Sequence, residues 1–128
     1  MSQHLMERTI QQFFAALSAK DVEAWLATFT LDAISYDPVG TPANVGQAAL
    51  RLFFDNVSNT FERISIAPEQ ILECECRAVA KWLAEGVGKN GRTVKFSGLD
   101  VFELDAHGKI KALWGFWDPD AMLAKLNG

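Results

Sequence analysis

Residues 92–117 read RTVKFSGLDVFELDAHGKIKALWGFW, and the period of this stretch decides the fold. Val94, Phe96, Gly98, Asp100, Phe102 and Leu104 occupy every second position, with Thr93, Lys95, Ser97, Leu99, Val101 and Glu103 between them. Successive side chains of a strand point to opposite faces, so this alternation predicts a strand over 92–104 with one face toward a core. Asp105-Ala106-His107-Gly108 has the composition of a tight turn, and a second strand follows over 109–117, so the chain folds back as an antiparallel hairpin. A bulge at Ser97-Gly98 would exchange the two faces, because a slip of one residue turns every side chain over.

Working outward, further strands are predicted over 61–66, 70–76 and 77–88, with Asn90-Gly91 as another tight turn, which makes an antiparallel meander. Before Phe61 the period is helical. Met6, Ile10, Phe13 and Leu17 recur at steps of four, three and four, and Phe14 widens the stripe, so 4–19 is an amphipathic helix. Asp21 is placed to cap a short helix in DVEAWLATF, with Val22, Trp25, Leu26 and Phe29 on one side of it. A strand over 33–37 follows. Asn44, with Gln47 three residues on, has the pattern of a capping box opening a third helix that buries Ala49, Leu50, Phe53, Phe54 and Val57. Asp118 and Pro119 open a short closing helix, where proline at the first position loses no hydrogen bond. Helices first and strands later describe an α+β fold, with N-terminal helices covering a curved antiparallel sheet. No repeat or linker interrupts this order, and 128 residues suit a single domain over 1–128.

Composition narrows the function classes. A formal charge of −4 and a pI near 5.1, with no basic stripe, oppose a nucleic-acid partner. No segment approaches the roughly 20 apolar residues that span a bilayer, and the N-terminus lacks a signal-peptide pattern, so no membrane association and a cytoplasmic location are expected. Cys74 and Cys76 stand two apart in a strand-like stretch, a poor geometry for bonding to each other, and are read as reduced structural thiols. His4 and His107 have no second ligand at metal spacing, so no metal site is expected. No phosphate loop or serine-nucleophile motif occurs.

Two carboxylates do not fit a purely structural reading. Asp100 lies between Phe96 and Phe102 on the core side of its strand, where ionisation is costly; its pKa is expected to be raised, leaving a carboxyl that can donate a hydrogen bond. The alternative is a buried aspartate satisfied by a backbone N–H or a hydroxyl. Asp37, in AISYDPVGTP (33–42), shares a face with Ser35, while Tyr36 faces away from it. Aspartate before proline is a common turn starter, and it is also where a base could end a strand. In the strand over 77–88, Ala80, Trp82 and Ala84 occupy one face and Lys81 and Glu85 the other. Alternation favours the apolar set as the inner face. Trp25, Trp82, Trp114 and Trp117 are core or pocket wall.

SYDPVGTP, LDVFELDAHGKI and the closing GFW together resemble the ketosteroid isomerases, within the superfamily that includes nuclear transport factor 2 and the SnoaL-type polyketide cyclases. The likeness extends over nearly the whole chain without gaps. It implies a cone-shaped α+β barrel, nuclear transport factor 2-like or cystatin-like, around an apolar pocket. It also implies Asp37 as general base, Asp100 as protonated hydrogen-bond donor and Trp117 as the pocket tryptophan; the pairing of one ionised and one neutral carboxyl is the established ketosteroid isomerase arrangement. The ungapped alignment places the charged set of strand 77–88 inward, in conflict with the alternation. Phe13 and Phe54 stand where the isomerases carry tyrosines, so both hydroxyls are missing. Phe13, Phe54, Phe102 and Trp117 are the expected substrate contacts. The expected function is a cofactor-independent isomerase-like or cyclase-like enzyme that abstracts a proton next to a carbonyl of a hydrophobic substrate. The alternative is a non-catalytic binding module for an apolar small molecule. A homodimer through the outer sheet face is expected from the resemblance alone.

Overall fold

The computed structural model describes residues 3–128. Helix α1 (Gln3–Ala19) leads through Lys20, which takes a left-handed backbone conformation (φ 56°), into α2 (Val22–Leu26). Asp21 caps α2 as its sequence predicts, its Oδ1 accepting from Ala24 N at 3.1 Å. The short helix stops at Leu26, and Phe29 instead opens β1 (Phe29–Tyr36), four residues before the expected strand start.

The expected capping box does not form. Asn44 pairs with Ser35 in a two-residue strand β2 (Asn44–Val45), so its side chain is not at the end of α3 (Gly46–Thr60). Val45 holds the N-cap position without a side-chain bond, and Gln47 Nε2 donates to Thr30 O at 3.2 Å, tying the helix to β1.

The two strands expected over 61–66 and 70–76 are one, β3 (Phe61–Cys74), which pairs along its length with β4 (Arg77–Gly88) and is irregular between Pro68 and Gln70. Proline is tolerated there because β3 is an edge strand, whose outward N–H groups have no ladder partner to lose. The meander continues through β5 (Thr93–Leu104) and β6 (Ile110–Phe116), and α4 (Pro119–Asn127) follows, capped by Asp118 Oδ1 on Ala121 N at 3.0 Å. Both expected turns form: Asn90 Oδ1 accepts from Arg92 N, and Asp105 Oδ1 accepts from His107 N and Lys109 N.

The sheet has six strands in the order β2-β1-β6-β5-β4-β3. It is mixed, because β1 pairs with β6 in parallel, with Tyr36 opposite Trp114. Two edges, β2 and β3, remain unpaired to each other, so the expected all-antiparallel sheet closed as a barrel is corrected to one open sheet under helices. Alternation could not reveal the parallel pair, since it reports which face is buried and not which strand lies alongside.

Helices α1 and α3 cover the inner face, where Ile10, Phe14, Leu50, Phe102, Ile110 and Leu113 are fully buried. In β4 the apolar set is the inner one: Ala80, Trp82 and Ala84 are buried, while Lys81 is exposed and pairs with Glu69 at 3.3 Å. The alternation therefore wins over the ungapped alignment. Cys74 and Cys76 are free and flank a turn at Glu75 rather than lying within one strand. No helix among the described residues is long and apolar enough to cross a membrane.

Candidate active site

Two features of the sheet bring the carboxylates together. Asp100 is on the inner face of β5, 4% exposed, and its partner across the β5–β6 ladder is Gly115. Asp37 leaves the end of β1 where that strand runs parallel to β6, and Val39 N donates to Gly115 O at 2.8 Å to fix the turn through Pro38. The Asp37 carboxylate consequently lies over Gly115. A Cβ on that glycine would stand 2.6 Å from Asp37 Cγ, so no other residue could occupy position 115 without moving the carboxylate. Residues paired across a ladder have Cα atoms about 5 Å apart, so the two carboxyls are neighbours although 63 positions separate them.

Each carboxyl also has an indole beside it. Trp117 Nε1 donates to Asp37 Oδ1 at 2.7 Å. Trp82 lies flat against Gly98, its partner in the β4–β5 ladder, where an added Cβ would meet Trp82 Cε2 at 2.8 Å. The two indoles touch edge to face, with centroids 6.1 Å apart.

This environment pushes both carboxyls above their ordinary range. Burial raises the Asp37 carboxyl from its ordinary 3.8 to about 6, and the Trp117 hydrogen bond, which favours the charged form, limits the rise. Asp100 is held well above the ordinary carboxylate range, first by burial and then by repulsion from Asp37, against the weaker pull of the Trp82 N–H. Burial thus favours the neutral form of both carboxyls, and the neighbouring Asp37 charge favours it further in Asp100.

Both line a cavity of about 240 Å³, whose wall includes Phe13, Trp25, Phe53, Phe61, Phe96 and Trp82. Asn56, Ser58 and Thr60, from the last turns of α3, also line it, and among the described residues Asp37 and Asp100 are the only titratable groups in the lining. Among the described residues no group of three or more His, Cys, Asp or Glu could hold a metal ion.

Of the residues singled out from the sequence, Asp37, Asp100, Phe13 and Trp117 meet in this cavity. Phe102 and Phe54 lie one layer behind it. Phe102 packs edge-on against Phe13 at 5.2 Å, and Phe54 packs at a tilt against Trp25 at 5.1 Å. Tyr36 points away from Asp37, as alternation requires, and stacks on Trp114 at 5.9 Å. Residues not anticipated as lining are Phe53, beside the expected Phe54, and Phe61 and Met122 at the far end. Glycine at positions 98 and 115, each within an apolar strand, was the one signal in the sequence that pointed to side chains lying against the sheet there.

A model of the SnoaL-like domain matches residues 10–113. Among solved structures, the chain is similar to SalBIII, described as an epoxide hydrolase/cyclase-like enzyme in pyran ring formation in the polyether salinomycin. The TM-score is 0.82 at 26% identity, covering 92% of this chain and 94% of that one. It is similar to TerC, co-crystallised with polyporic acid, with a TM-score of 0.82 at 17% identity over 97% and 99% of the two chains. RV0760c from Mycobacterium tuberculosis, in complex with estradiol-17β-hemisuccinate, gives a TM-score of 0.79 at 21% identity over 91% and 95%. At their identities the last two similarities concern the fold alone.

Proposed function

The chain belongs to the SnoaL-like family of the nuclear transport factor 2-like superfamily, and on that premise we propose that it is a cofactor-independent acid–base enzyme acting on a hydrophobic, steroid- or polyketide-like substrate that carries a carbonyl. One observation carries this reading: two carboxyls, side by side and both raised by burial, line one apolar cavity. Asp37 removes a proton next to the carbonyl. With its pKa near 6, about nine-tenths of it is ionised at pH 7. Trp117 occupies Oδ1, which leaves Oδ2 for the proton. Asp100 donates a hydrogen bond to the oxygen on which charge develops, and Asp37 returns the proton at a second carbon or to a ring-closing atom.

The lining also bears on the substrate. Among the described residues no cation lines the cavity, which disfavours an anionic group inside it, and the aromatic wall favours rings. About 240 Å³ is slightly below the range of roughly 300–1,000 Å³ common for small-molecule sites. A substrate of one or two rings fits within this volume, and a longer one extends beyond it.

Phe13 and Phe54 favour a second reading, a binding module without turnover, because loss of one oxyanion donor typically slows catalysis by about 10²- to 10³-fold. The test is conversion of a β,γ-unsaturated steroid ketone to its conjugated enone, followed by ultraviolet absorbance. The enzyme reading expects slow conversion by the wild type and none by Asp37→Asn. Equal inertness of both proteins toward steroid and polyketide ketones, together with ligand-dependent quenching of tryptophan fluorescence, would replace it with the binding reading.

A homodimer through the outer sheet face belongs to the same proposal. Leu72, Val79, Val101 and Trp114 stand in register across β3, β4, β5 and β6 on that face. Leu83, Leu99 and Phe116 beside them are 50%, 43% and 47% exposed. Apolar side chains grouped in this way on a sheet face suit burial against a second copy.

A further inference from the structure

The Trp82 indole has a buried donor that the mechanism above does not use. Trp82 is 3% exposed, and its Nε1 is sealed from solvent with no partner in regular hydrogen-bond geometry. A buried N–H is normally paired, so an orphan next to a reactive group calls for an explanation. Its place is held from three sides: Gly98 lies beneath the ring, Phe96 meets it edge-on at 5.8 Å, and Trp117 does so at 6.1 Å. Because Trp82 pairs with Gly98, and Ala80 with Asp100, the indole stands diagonally next to Asp100 on the same face. The acceptor that the N–H faces is the Asp100 carboxyl.

We propose that Trp82 is the positioning residue of Asp100, its N–H capping one carboxyl oxygen so that the acid's O–H is directed into the cavity toward the oxygen of the ligand. A protonated carboxyl has two oxygens that can exchange roles by rotation, and only one orientation presents the hydrogen to a ligand. A donor fixed beside one oxygen makes that oxygen the acceptor and leaves the hydrogen on the other. Asp37 and Asp100 then have parallel supports. Trp117 leaves one oxygen of the base free, and Trp82 leaves one O–H of the acid free. A carboxyl polarised on one side also binds more strongly on the other, so the cap strengthens the hydrogen bond that Asp100 offers a ligand oxygen.

The proposal rests on the reading of Asp100 as a protonated donor, but its test does not require turnover. The measurement is the infrared C=O stretch of protonated carboxyls, followed by pH titration in protein with ¹³C-labelled aspartate. Asp100→Asn identifies the Asp100 band. At position 82 the indole is replaced by the isosteric benzothiophene through site-specific incorporation, which keeps the ring's shape and removes only the N–H; Trp82→Phe is the second variant. Among the described residues, Asp37 just after β1 and Asp100 on β5 are the only titratable groups that line the cavity. The expected result for the benzothiophene protein is a C=O stretch at higher frequency and an Asp100 band that persists to higher pH, with the Asp37 midpoint unmoved near 6. Trp82→Phe should move the stretch in the same direction. Loosened packing would act oppositely, admitting water and lowering both carboxyls together. A band unchanged in position and pH dependence, or both carboxyls shifting downward, would overturn the positioning role. Absence of any protonated-carboxyl band near neutral pH would instead remove the underlying reading of Asp100, and an intact band with no turnover on any ketone would remove the enzyme reading alone.

Discussion

Replacing Asp37 by asparagine should stabilise the protein, and more strongly as the pH rises. Burial holds this carboxyl near 6 in the folded chain, against an ordinary value of 3.8. Between those values the folded chain keeps a proton that the unfolded chain has released. The native state therefore binds more protons than the unfolded one, and stability falls as pH rises through this window. The loss starts near pH 4 and is complete by about pH 7. At about 1.4 kcal/mol per pH unit it comes to about 3 kcal/mol, and the partial exposure of the aspartate lowers this toward about 2. Asparagine has the same shape, carries no charge to desolvate, and can still accept from Trp117 through its Oδ1. Asp100 contributes equally to both proteins while it stays protonated, and cancels in the difference. The variant should thus match the wild type near pH 4 and exceed it by about 2–3 kcal/mol at pH 8, or roughly 10 °C in Tm. Urea unfolding followed by tryptophan fluorescence from pH 4 to 8 measures the difference, provided the m-value is unchanged. A gap that is flat with pH, or that favours the wild type, would mean that Asp37 ionises as freely when folded as in water. The poised base would then lose its physical basis.

Three further outcomes test the site and the assembly. If a ketone substrate is turned over, kcat/KM should rise through about pH 6 as Asp37 ionises and fall on the alkaline side where Asp100 does; Asp100→Asn should keep the first limb and lose the second, because its amide donates without titrating. Gly115→Ala should lower kcat/KM by about 100-fold, because the new Cβ forces the Asp37 carboxylate to shift by about 1 Å and to break its bond with Trp117; unaltered kinetics would show that this seat is irrelevant. Leu99→Lys on the outer face should yield monomers in sedimentation equilibrium that keep the native near-ultraviolet circular dichroism, and monomeric wild-type protein would exclude the proposed dimer.

The elements that were legible in the sequence are those whose burial repeats with one period. α1 and β5 each have an apolar face set by spacing alone, and β4 has its apolar set inward although the alignment argued otherwise. Caps were legible where a side chain had one available use, as with Asp21 and Asp118. Asn44 shows the limit. Its side chain would have capped α3, but the backbone of the same residue was taken by Ser35 across a strand pair, and a short-range motif cannot report a long-range competitor. Pro68 shows the same limit in reverse: it lies in the gap between the strands expected over 61–66 and 70–76, and the edge position of β3 lets one strand run through it.

The site was legible to the extent that it rests on burial, which the flanking phenylalanines of Asp100 announced. Its assembly rests on contacts between strands, and these left only indirect marks. Gly98 and Gly115 look like weak points in otherwise apolar strands, since glycine adds no packing and costs conformational entropy there. Their positions are explained by what lies on them, an indole from β4 in one case and the carboxylate that follows β1 in the other. Each glycine faces the cavity side, and each gives up a side chain so that a group from a different strand can approach the backbone. A charged group buried in this way destabilises the fold, and the two missing side chains add to that cost. The chain tolerates both at the place where its two carboxyls meet. This concentration of unfavourable choices around one cavity, in a domain otherwise consistent with its local preferences, is the physical argument that the cavity serves chemistry or binding and is not a packing fault.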